Sequence, residues 1–286
     1  VRRALCLLFV WCCVAGCGGS GHDSSKEQVV AAFYPLAWAA EQVGGSAVEV
    51  ENLTPPGAEP HDIELTPRDV EDVQAADLVL YLGHGFQPAL EKAVENRSGP
   101  SIDLLSGQHL TSAPENEEGL TADPHVWLDP IRFSQMVIAV GKALERNEAA
   151  ARLARRLQQL DAEYKSGLAD CRRHEIVTSH AAFGYLARRY GLRQIALTGL
   201  NPEAEPTAKD LLRLIAEVKA TGATTVFFEA LVSPRLAQTV ARESGAMTAV
   251  LDPLEGLTKD EVAAGDDYLS VMGANLATLR RALGCS

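Results

Sequence analysis

Short apolar runs alternate with amphipathic stretches along most of the chain, in two series separated by one long helical pattern. In the first series, residues 29–33 (VVAAF) predict a strand, followed by a helical run through Gln42. Residues 48–53 predict a second strand, 77–82 (DLVLYL) a buried third, and 101–105 a weaker fourth. Thr66-Pro67 opens a helix before the third strand: threonine serves as N-cap, and proline fits a first turn that has no use for its missing N–H. A further helix is predicted over 88–95.

Asp129-Pro130 is another cap-plus-proline start, and helical periodicity runs from there almost to Cys171, with Asn147 a point of interruption. Leu153, Leu157, Leu160, Tyr164 and Leu168 share one face of it. The second series then repeats the first. Strands are predicted over 175–179, 193–197, 225–229 and 248–251, and helices over 180–190, 207–221, 234–244 and 260–283. Strands alternating with helices imply parallel sheets, here in two α/β lobes joined by one long connecting helix. Ligands of such sheets sit beyond the carboxyl ends of the strands, so the cleft between the lobes is the expected site.

The N-terminus changes the picture of the first residues. Arg2 and Arg3 precede an apolar run over 4–14, too short to span a bilayer, and small residues (Val14-Ala15-Gly16) lead to Cys17. This is an export signal, and a cysteine directly after it resembles a bacterial lipobox, in which Cys17 carries lipid. The expected division is 1–16 signal, 17–27 lipidated tether, 28–128 N-terminal lobe, 129–173 connecting helix and 174–286 C-terminal lobe. Among 286 residues there are 26 basic and 38 acidic side chains, a formal charge of −12. Loss of the two signal arginines makes the mature chain more acidic still, which argues against a nucleic-acid binder, since that needs a basic stripe to displace counterions. Cys171 and Cys285 are the cysteines left for the body. In an exported protein they favour a disulfide, with two free thiols as the alternative.

Three of the seven histidines lie at strand–helix junctions in distinctive contexts. His61 is in TPPGAEPHDIELTPRD, His125 in ADPHVWLDP and His180 in TSHAAFGYL. Neutral imidazole is a common zinc ligand, and the N-terminal end of the helix after His180 would disfavour its protonated form. Each such ring needs an acceptor for its second nitrogen, for which Asp62, Asp123 and Asp129 are near in sequence. Spacing alone also allows three unrelated loop or capping histidines.

The segments PGAEPHDIELTPRDV, DPHVWLDP, HAAFGYLARRYGL, LNPEAEPT, FFEALVSP and LDPLEGLT resemble those of the metal-binding lipoproteins of bacterial ABC importers, of the zinc type. The resemblance covers residues 28–284. It implies a high-affinity extracytoplasmic receptor, a monomer held to the membrane by lipid, that passes Zn2+ to an ABC permease and, through it, acts with an ATPase. It also implies a cleft site of His61, His125, His180 and a fourth ligand: Glu255, with Asp252 or a water as alternatives. Glu229, ending a strand that faces the cleft, is a further outer partner. The manganese branch usually has glutamate where His180 stands, and nitrogen-rich sites suit zinc while hard oxygen ligands suit manganese.

One feature departs from that family. Residues 109–123 (HLTSAPENEEGLTAD) are short and hold one histidine, where zinc-type members often carry a long histidine-rich loop, so Glu115, Glu117 and Glu118 read as a solvated turn. His22, His84 and His174 read as surface residues. The expected work is binding with a modest lobe rotation and no bond chemistry. The other readings are a manganese- or iron-type receptor, a zinc hydrolase using Asp252 or Glu255 as base, and an adhesin. No HExxH element supports the hydrolase.

Overall fold

The computed structural model describes residues 26–286 apart from 116, 118 and 205; the signal segment, Cys17 and residues 18–25 of the tether lie outside the described residues. The first series folds as β1 (Glu27–Ala31), α1 (Tyr34–Gly44), β2 (Val48–Asn52), α2 (Pro67–Ala75), β3 (Leu78–Tyr81), α3 (Pro88–Glu95) and β4 (Ser101–Asp103). Its strands are all parallel, in the order β2-β1-β3-β4. β1 and β3 are central and buried on both faces through Val29, Val30, Ala31, Leu78, Val79 and Leu80. That is why they read as unbroken apolar runs, whereas β2 at the edge turns Glu49 and Glu51 to solvent. Thr66 caps α2 by accepting from Asp69 N, and the Asp69 carboxylate accepts from Thr66 N in return.

The expected connector divides in two. α4 (Pro130–Ala143) and α5 (Asn147–Gly167) pack against each other, and the chain reverses at 144–146, where Glu145 has φ +55°. A Cβ on Gly141 would lie 2.2 Å from the Ala150 Cβ, so the glycine is what lets the two helices approach. α5 is the long helix that joins the lobes, burying Leu153, Leu157, Leu160 and Tyr164.

The second lobe contains β5 (Glu175–Thr178), α6 (Gly184–Arg189), β6 (Arg193–Ala196), α7 (Ala208–Thr221), β7 (Thr225–Phe228), α8 (Arg235–Ser244), β8 (Met247–Val250), α9 (Lys259–Ala264) and α10 (Tyr268–Leu283). Its sheet repeats the first topology, β6-β5-β7-β8, all parallel. Two predicted helices are corrected. The stretch after His180 begins as a 3-10 turn (Ala181–Phe183) before α6, and the terminal helix is broken into α9 and α10. Gly265, at φ +79°, makes the left-handed turn that ends α9, and the Asp267 carboxylate accepts from Leu269 N and Ser270 N to start α10.

The cores do not divide evenly between the lobes. Trp38 of α1, Phe133 of α4 and Tyr268 of α10 form one aromatic cluster, with Tyr268 4.5 Å from Phe133 and 5.1 Å from Trp38. The Tyr164 hydroxyl on α5 donates to Met272 O on α10. α10, last in sequence, thus packs on the first lobe and the connector. A smaller core of Val177, Ile195, Leu214, Val218, Val226 and Val240 belongs to the C-terminal lobe alone. Cys171 and Cys285 form a disulfide that ties the chain end to the segment entering β5. Among the described residues, no helix is long and apolar enough to cross a membrane.

Candidate metal centre

Each residue of the centre stands beyond the carboxyl end of a strand or at the entry to a helix. His61 lies in the turn between β2 and α2, His180 two residues after β5, Glu229 directly after β7 and Glu255 in the turn after β8. His125 precedes a 3-10 turn (Val126–Leu128) that leads into α4. The lobes meet along these ends, and four side chains converge: His61, His125, His180 and Glu255 offer donor atoms within 4.8 Å of one another. Glu255 Oε1 is 3.3 Å from His61 Nε2, 3.1 Å from His125 Nε2 and 3.1 Å from His180 Nε2, and the last two nitrogens are 3.2 Å apart. Ligands about 2.0–2.1 Å from a tetrahedral zinc ion stand roughly 3.3–3.4 Å from one another. Four of the six edges between the donors, at 3.1–3.3 Å, come close to that spacing. His125 and His180 are fully buried, Glu255 is 1% exposed and His61 9%.

Carboxylates behind the rings set their orientation. Asp123 Oδ1 accepts from His125 Nδ1 at 2.8 Å, and Glu229 Oε1 accepts from His180 Nδ1 at 2.7 Å. Because these carboxylates accept, the Nδ1 atoms carry protons and each Nε2 is turned to the centre. Burial by itself lowers the pKa of His180, but the charges of Glu229 and Glu255 and their hydrogen bonds outweigh it and hold the ring well above its ordinary value. The two carboxylates in hydrogen-bond contact thus act against the helix-end effect expected at His180. His125 is raised in the same way: burial opposes, and Asp123 and Glu255 prevail. His61 is lowered by burial. Burial would raise Glu255, yet the three histidines, His180 foremost, hold it well below the usual carboxylate range.

Several predicted partners lie elsewhere. Asp62 is exposed. Asp129 is buried but caps α4, accepting from Ile131 N, and pairs with Arg189 at 3.3 Å; it is a helix cap and not a histidine partner. Asp252 is outside the converging group: its Oδ1 accepts from Leu254 N at 2.7 Å, and burial pushes its carboxyl up to about 7. The acidic stretch 109–123 is not simply a solvated turn. Glu117 Oε1 accepts from Leu200 N at 2.8 Å, across from the first lobe to the second, and Thr111 N donates to the Tyr185 hydroxyl on α6. His84, His109 and His174 are exposed, and His22 lies outside the described residues.

Three contributors were not anticipated. Glu59 accepts from His61 N at 3.0 Å and is pushed up to about 8 by burial and then by the charge of Glu255. Its signal was a carboxylate two residues before a candidate ligand. Trp127 Nε1 donates to Pro253 O in the turn that carries Glu255. Asn275 is 3% exposed in the apolar stripe of α10, and a polar residue in such a stripe was the available signal.

Comparison with known proteins agrees with this arrangement. Residues 29–282 match the family described as zinc-uptake complex component A, periplasmic (ZnuA). The zinc-binding lipoprotein AdcA of Streptococcus pneumoniae is 35% identical over 302 residues, covering 97% of this chain and 59% of that protein. The chain therefore spans a little more than half the length of AdcA. The high-affinity zinc uptake system protein ZnuA of Bacillus subtilis is 33% identical, covering 98% of this chain and 95% of its own. The crystal structure of the Zn(II)-bound ZnuA-like domain of Streptococcus pneumoniae AdcA superposes with a TM-score of 0.78 at 36% identity, covering 90% of this chain and 99% of that one. With paired parallel-sheet lobes, four donors converging between them and a family match over nearly its whole body, the chain belongs to the ZnuA family of uptake-complex components.

Proposed function

We propose that this protein is an extracytoplasmic zinc receptor that binds Zn2+ through Nε2 of His61, His125 and His180 and a carboxylate oxygen of Glu255, and delivers it to an ABC permease. The observation that carries the reading is the spacing of these donors, 3.1–3.3 Å along four edges, which suits a small tetrahedral ion. Three nitrogens and one oxygen favour zinc over manganese, whose preferred ligands are harder oxygens. The family is one of binding components and not of enzymes. Relatives named as a zinc-binding lipoprotein and a zinc uptake system protein support the assignment. The chain acts as a monomer, tethered through lipidated Cys17 after removal of residues 1–16, with lobes over 28–128 and 174–286 joined through 129–173. Its permease works with an ATPase that the receptor meets only indirectly.

Protein purified without added metal is expected to carry one zinc per chain by elemental analysis and to keep it against excess Mn2+. His61→Ala, His125→Ala and His180→Ala should each weaken zinc binding at least about 100-fold, since each removes a direct ligand, a larger loss than the 10–100-fold typical of outer partners. Preference for manganese, or tight zinc binding by His180→Ala, would overturn the reading.

A further inference from the structure

We infer that Asp252 is a positioning residue whose carboxylate holds Leu254 in a left-handed turn and so aims Glu255 at the three histidines. The inference rests on Glu255 being the fourth ligand, and it gives the second acid of the LDPLEGL segment a different task.

The turn is tied down along its length. Leu251 N donates to Phe228 O, which fastens the start of the turn to the end of β7. Asp252 is gripped through its main chain by Asn275, whose Oδ1 accepts from Asp252 N at 2.9 Å and whose Nδ2 donates to Asp252 O at 2.7 Å. Pro253 O accepts from Trp127 Nε1 at 2.8 Å, two residues from the ligand His125. Leu257 O accepts from Gly57 N at 2.9 Å, four residues from His61. Between these ties, Leu254 has φ +55°, a conformation that L-residues other than Asn and Asp seldom adopt. Its amide donates to Asp252 Oδ1, two residues earlier, the acceptor of an Asx turn. Leu254 is fully buried, so without that acceptor its N–H would be stranded away from water. Glu255 follows directly, and its Oε1 must reach three nitrogens at once, a demand that tolerates about 0.5 Å of error.

The same geometry argues against Asp252 as a ligand. Its Oδ1 is committed to Leu254 N, its Oδ2 is buried without a hydrogen-bond partner among the described residues, and it is not among the four converging donors. A turn with two acids thus divides the labour: the first shapes the backbone and the second meets the metal.

The test compares D252N, D252A, D252A/L254G and E255Q in the full chain, by zinc competition against a chromophoric chelator and by the visible ligand-field bands of the Co2+-loaded protein. Asparagine keeps the Oδ1 acceptor, so D252N should bind within about threefold of the parent with unchanged Co2+ bands. D252A should weaken binding about 10–100-fold, the range for outer partners of a metal site, with weakened tetrahedral bands. Glycine takes the left-handed conformation freely, so D252A/L254G should regain part of that loss. D252N binding as poorly as D252A would overturn the proposal, because the carboxylate itself would then be needed at the metal. D252A binding like the parent would overturn it too. Should D252A fail to fold, D252N and the glycine double variant still decide. Parent-like binding by E255Q would refute the ligand assignment of Glu255, and the positioning role would fall with it.

Discussion

At the scale of single residues, the carboxylates around the centre favour the protonated forms of two of its histidines. His180 and His125 are pushed toward their charged forms by Glu229, Asp123 and Glu255, while Glu255 stays ionised among them. Zinc needs neutral imidazole, so binding must expel those protons. Calorimetric titrations in buffers of differing ionisation enthalpy should therefore report net proton release at pH 7. A group with a raised pKa keeps its proton until pH passes that value. Apparent affinity should accordingly keep rising above the ordinary imidazole value of about 6.5 and level off once the rings are neutral. Zinc binding without proton release would contradict this. Glu229→Ala removes the acceptor that orients His180 and should weaken zinc binding about 10–100-fold, measured by chelator competition, while reducing the number of protons released.

At the scale of elements, helix starts were legible because a cap is a local matter. Thr66, Thr207 and Thr258 each accept from a backbone N–H three residues on, within a window a reader can scan. The break before Asn147 was legible too, but the one at Gly265 was harder to see. The helical pattern runs on through Gly265, so that reversal came from the packing of α10 on the first lobe. The disulfide is an element-scale brace remote from the centre: its cysteines are 114 residues apart and join the end of α10 to the entry of β5. Replacing both by serine should lower stability by about 4–5 kcal/mol on the chain-entropy treatment of a loop near 100 residues. Chemical denaturation would measure that loss, with zinc affinity in the folded protein nearly unchanged.

For the whole molecule, burial of the donors sets the terms of release. On the proposed reading, an ion held by two fully buried histidines and a nearly buried glutamate is expected to exchange by a parting of the lobes. α5 and α10 are bound into the large core with the first lobe through Tyr164, Tyr268 and Trp38, whereas α7 and α8 share the smaller core. Opening should fall where the packing is lighter. Hydrogen exchange with and without zinc is expected to rise on metal removal in the segments around residues 178–205 and 251–257, with α5 and α10 little changed. Uniform exchange, or change confined to α5, would mean that the connector itself bends.

Alternating apolar runs, caps and turn residues determined the two α/β series by themselves, because those signals act over a few neighbours. The contexts of His61, His125 and His180 were readable for the same reason, each at a junction where a parallel sheet presents ligands. Tertiary structure alone decided which acid meets them. Asp252 and Glu255 are three residues apart and chemically alike, and one left-handed residue between them, Leu254, turns the first into the backbone and the second toward the histidines. It also sent Asp129 to Arg189 and Glu117 across to the second lobe. Such choices depend on partners dozens of residues distant, and a local pattern carries no record of which of several carboxylates the folded chain brings into contact.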